Sequence, residues 1–88
     1  MRILGIKLLA NKIIKMEKKY YKYGTRPIIE EIEPEFSTFF AYQWDTGEFK
    51  EDMTYASKIW YDSSGDREDL SEEEFNAYVE KLRQKKDS

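Results

Sequence analysis

Apolar residues at Ile3, Ile6, Leu9, Ile13 and Met16 recur at spacings of three and four, the period that gathers side chains on one face of a helix. Lys7, Lys12, Lys15, Lys18, Lys19 and Lys22 fall away from that stripe. The pattern predicts a basic amphipathic helix over residues 1–18, an appended or dimerising element, ahead of a compact body over residues 19–84. If the stripe finds no room on its own sheet, pairing with a second copy would bury it, and a homodimer is then the expectation. Met16 is a second candidate start.

The period then changes. Aromatic enrichment in Lys19-Tyr20-Tyr21-Lys22-Tyr23, closed by Gly24-Thr25 and Pro27, predicts a short strand entering a turn. Ile28 to Glu33 reads as a second strand, with Ile28 and Ile32 on one face and Pro34 ending it. From Phe36 to Trp44 the alternation is strongest. Phe36, Thr38, Phe40, Tyr42 and Trp44 share one face, and Ser37, Phe39, Ala41 and Gln43 the other. Aromatic rings on both faces predict a central strand. Asp45-Thr46-Gly47-Glu48 supplies a hairpin turn, with Phe49 expected opposite Trp44. Tyr55 to Tyr61 reads as a further strand, with Tyr55, Ile59 and Tyr61 on one side and Lys58 and Trp60 on the other. Asp62 to Asp66 marks a loop.

The closing segment has full start signals for a helix. Ser71 and Glu74 form a capping box, Leu70 and Phe75 a hydrophobic staple, and Glu72, Glu73 and Glu74 face the positive end of the macrodipole. Phe75, Tyr78, Val79 and Leu82 make the buried stripe, and Lys85 to Ser88 reads as a frayed end. The resulting fold class is α+β: an antiparallel meander of three to five strands flanked by an N-terminal amphipathic helix and a C-terminal capped helix. With both helices on one face, it is a two-layer sandwich.

Composition narrows the chemistry. The 88 residues contain no Cys and no His, so disulfides, thiol nucleophiles, imidazole bases and conventional zinc sites drop out. A domain this short leaves little room for a deep pocket. The expectation is a non-enzymatic protein without a cofactor. No run approaches the length of a membrane span, and Lys7 interrupts the apolar start, so neither stable membrane insertion nor secretion is expected and the cytoplasm is the expected location.

One metal motif has the right oxygen spacing. Asp62, Ser64, Asp66, Glu68 and Glu73 fall at positions 1, 3, 5, 7 and 12 of a calcium loop. Arg67 stands where that loop needs glycine, and Asp69 where it needs an apolar residue, so an acidic turn before a capped helix is the better reading and no metal site is expected.

Charge is lopsided. Residues 1–26 hold eight Lys or Arg against one acid, and the remainder hold seventeen acids against seven bases. The acidic groups around Glu30 to Glu35, Glu48 to Asp52 and Asp62 to Glu74, if they share a face, would steer a basic partner. The expected function is therefore a small acidic protein-binding module of the inhibitor, immunity or adaptor type. Its candidate contacts are Trp60, Trp44, Glu48, Glu51, Asp52, Asp66 and Glu68. The alternative is a nucleic-acid-associated protein, with Lys18, Lys19, Tyr20, Tyr21, Lys22 and Arg26 offering cations beside stacking rings.

Overall fold

A computed structural model describes residues 17–87. Strands β1 (Glu17–Tyr23), β2 (Arg26–Ile32), β3 (Ser37–Tyr42) and β4 (Phe49–Glu51) run in succession. Helix α1 (Tyr55–Trp60), strand β5 (Arg67–Leu70) and helix α2 (Glu72–Asp87) follow. The sheet order is β4-β3-β2-β1-β5, with every neighbouring pair antiparallel. The first four strands form the expected meander, and the chain then crosses to the far edge to lay β5 beside β1. The α+β class holds. The predicted N-terminal helix falls on residues outside those described, except that Glu17 and Lys18 open β1, paired with Ile32 and Glu31.

The strand faces follow from the register. Tyr21, Ile28, Phe39 and Ala41 point to one face and pack under Tyr55 and Ile59 of α1. Tyr42, with Tyr20, Ile29, Phe49 and Leu70, points to the other and packs under Phe75, Val79 and Leu82 of α2. The two-layer expectation is thereby corrected: the described helices lie on opposite faces of the sheet. Aromatic and aliphatic residues alternate through β1, β2 and β3 so that both faces are apolar, and each needs a cover.

Residues 55–60 are a helix where the alternation predicted a strand. Tyr55 and Ile59 are four apart, a spacing that satisfies both a period of two and one of 3.6. Tyr61 separates the readings. A strand would bury it with Tyr55 and Ile59, yet it is 77% exposed while they are buried. The turn before the helix is held by Asp52, whose Oδ1 accepts from the backbone N–H (3.1 Å) and the hydroxyl of Thr54.

Phe49 pairs with Tyr42, not with Trp44 as expected, because Gln43 already begins the loop: its carbonyl accepts from Gly47 N (2.8 Å) and its N–H donates to Glu48 O (2.8 Å). Gly47 takes φ +77° in that turn, a conformation glycine adopts without strain. The acidic β5 had no apolar alternation to announce it, and the free edge of β1 makes it a strand. The capping box of α2 is formed in both directions: Ser71 N donates to Glu74 Oε1 at 2.9 Å and Glu74 N to Ser71 Oγ at 3.1 Å. The helix continues to Asp87, through the end predicted to fray.

Candidate functional site

Glu30 lies in β2 between Ile28 and Ile32, and the period of two turns all three to the α1 face. The Glu30 residue is 4% exposed. Each oxygen accepts one hydrogen bond, Oε1 from the Tyr21 hydroxyl at 2.7 Å and Oε2 from the Trp60 indole Nε1 at 3.2 Å. A strand neighbour and the last residue of α1 are thus tied to one buried acid. Burial, followed by that hydrogen bond and the negative charge of Glu30, raises the Tyr21 hydroxyl above its ordinary range and keeps it a donor.

Trp60 is held a second time. Its ring meets Phe39 edge to face, with centroids 5.3 Å apart and planes at 75°. The side chain nonetheless remains 49% exposed. Met53 approaches the same strand residue, its Sδ accepting from Phe39 N at 3.4 Å, and it is exposed as well. Met53 and Trp60 therefore flank buried Phe39, and exposed Tyr61 follows Trp60 in the chain. Arg67 secures this end of α1 by donating to Ile59 O at 2.8 Å and pairing with Asp69 at 2.9 Å.

The other expected contacts are dispersed. Trp44 is also half exposed, but it sits in the β3–β4 loop with its ring against Tyr42, whose side chain belongs to the α2 face. Glu48, Glu51 and Asp52 lie along the β4 edge, and Asp66 and Glu68 along β5 at the opposite edge. Four strand spacings separate the edges, about 19 Å, well beyond the screening length of roughly 8 Å at physiological salt. The two acidic groups are separate patches. Glu68 is in addition paired with Lys22 at 3.5 Å.

The nucleic-acid residues share β1, or follow it, but face different ways. Tyr21 is buried with its hydroxyl on Glu30, and Tyr20 packs its ring 4.9 Å from that of Phe75. Neither ring offers both faces to a base. Lys18 pairs with Glu31 at 3.8 Å, and Lys22 lies over the Tyr78 ring. Arg26 donates to Tyr42 O at 2.7 Å and to the Tyr55 hydroxyl at 3.3 Å. A shallow groove of about 360 Å³ runs past Lys18 and Lys19, yet Asp69 and Glu72 line it too, so its charge is mixed.

Asp62, first position of the calcium-like spacing, is an acceptor for its own turn. Oδ1 takes Ser64 Oγ (3.0 Å), Gly65 N (3.1 Å) and Asp66 N (3.3 Å), and Oδ2 takes Arg67 N (3.1 Å). Desolvation pulls this carboxyl upward, but the accepted bonds outweigh it and hold it below the usual carboxylate range. Glu68 has moved into β5 and Glu73 into α2. Among the described residues no group of three or more acids is arranged to hold a metal ion. No helix there is long and apolar enough to cross a membrane.

Phe39 and Met53 were missed as parts of a site, and Glu30, read as one of a surface group of acids, is buried instead. One signal was legible: a glutamate between two isoleucines on a single strand face must point inward with them. No protein-family model, curated protein or solved structure matches the chain.

Proposed function

We propose that this protein is a small non-enzymatic protein-binding module, of the inhibitor or adaptor kind, that grips its partner through Trp60. The observation that carries this reading is the double restraint on a half-exposed indole: its N–H is bonded to buried Glu30 and its ring rests on Phe39. Tryptophan is among the residues that dominate interface energies. Immobilising a free side chain on binding costs about 0.5–1.5 kcal/mol, and a side chain already fixed avoids most of that cost. Met53 and Tyr61 extend the exposed apolar surface on either side in sequence. Asp52, next to Met53 in the chain, is tied to the same strand residue, its N–H donating to the Phe39 carbonyl at 2.8 Å.

The test is affinity capture from extracts of the native host with the full chain, comparing wild type with Trp60→Ala and Trp44→Ala and identifying retained proteins by mass spectrometry. A protein partner held by wild type and Trp44→Ala, and released by a folded Trp60→Ala, is the expected result. Equal capture by Trp60→Ala, or recovery of nucleic acid in place of protein, would contradict the reading.

A further inference from the structure

Among the described residues, the buried Glu30 carboxylate has no counter-ion. The three ion pairs among the described residues are Lys18–Glu31, Lys22–Glu68 and Arg67–Asp69, and none involves Glu30. Lys19, its register partner on β1 and on the same face, is exposed and makes no ion pair with it. Both donors to Glu30, a phenol and an indole, are neutral, and they fill two of roughly four acceptor positions on the carboxylate. A buried charge compensated only by neutral donors is costly, and a cation brought near it is strongly favoured.

The cations of the described chain already show where they settle on rings. Lys22 lies over Tyr78, Arg26 and Lys58 over Tyr55, and Arg67 over Tyr21. All of these rings are tyrosines. Trp60, of the ring type best suited to a cation, carries none from the described residues, although half of it is open to solvent. Its indole N–H bonds Glu30, so a cation seated on the open part of the ring would also feel the acid behind it.

We infer that the Trp60–Glu30 pair is a subsite for a cationic side chain, an arginine or lysine carried on a basic segment of the protein partner. The inference rests on the reading of Trp60 as the anchor and adds the chemistry of what meets it. The indole ring supplies the seat, and Glu30 supplies the charge without leaving its place between Tyr21 and Trp60. A neutral residue of the same shape would gain the contact and lose the attraction.

The experiment uses the full chain labelled with ¹⁵N, in which the two indole N–H signals are assigned by Trp60→Phe. The probes are a short synthetic peptide with one arginine among glycine and leucine residues, and the same peptide with uncharged citrulline in its place. The expected result is a saturable shift of the Trp60 signal, with the arginine peptide binding about tenfold more tightly than the citrulline peptide. Glu30→Gln, checked for folding by its dispersed amide spectrum, should bring the two peptides close together. Equal binding of both peptides to wild type, or an arginine peptide that leaves the Trp60 signal unmoved, overturns the subsite. If Glu30→Gln does not fold, raising the salt concentration on wild type is the second measurement, and an arginine preference that persists unchanged at high salt overturns it equally. Trp60-dependent capture of a partner would survive that failure, whereas loss of such capture would remove the anchor itself.

Discussion

Tyr21 and Trp60 come to Glu30 from a strand and a helix, so that one carboxylate joins parts of the fold far apart in sequence. Removing the Tyr21 hydroxyl strips a donor from a buried charge, which costs about 1–3 kcal/mol. Tyr21→Phe is therefore expected to lower the urea midpoint at pH 7 by a corresponding amount, with little change in m-value. The pH dependence has a definite sign. Burial and Glu30 raise the hydroxyl above its ordinary value near 10, so the native state keeps a proton that the unfolded chain releases. The resulting stability is complete below about pH 10 and is lost as pH rises beyond it. Denaturation at pH 7 and above pH 10 should accordingly show the gap between wild type and Tyr21→Phe narrowing on the alkaline side. A gap that widens would place the proton elsewhere. At this scale the inward direction of Glu30 was legible from its two isoleucine neighbours. Its donors were not, because neither lies within eight residues of it in the chain.

The two helices illustrate how far local signals reach. For α2 the cap, the staple and the charge gradient all lie within the segment, and each appears in the fold as read. Ser71→Ala removes the hydroxyl that accepts from Glu74 N and should cost about 1 kcal/mol, seen as a lowered midpoint in thermal unfolding followed by circular dichroism. A cost indistinguishable from zero would mean that packing of Phe75 and Val79 alone fixes the helix start. For α1 the local signal was ambiguous, since Tyr55 and Ile59 fit either period. What decides is the sheet face beneath: Phe39, Ala41 and Ile28 offer an apolar floor that a helix turn can cover with both residues at once. Strand β5 is the converse case, a charged segment that pairs only because β1 has an open edge, where charged residues are well tolerated.

Across the molecule, both apolar clusters draw on strands β1, β2 and β3, so neither face can lose its cover without disturbing the other. Ile59→Ala under α1 and Val79→Ala under α2 should each lower the same single unfolding transition, by about 2–5 kcal/mol for the isoleucine. Tryptophan fluorescence and far-ultraviolet circular dichroism should coincide in both variants. Separate transitions would show that α1 and α2 unfold independently. The amino-acid sequence alone determined the α+β class, the meander of the first four strands, the capped final helix and the exclusion of thiol and imidazole chemistry, because these depend on local periodicity, capping and composition. Tertiary structure alone decided that the described helices take opposite faces, that residues 55–60 form a helix, that the acids of residues 48–52 and 66–68 part to opposite edges, and that Trp60 is fixed yet half exposed. Each of those outcomes depends on which surfaces meet across the sheet, and strand order and register, which no local pattern encodes, bring those surfaces together.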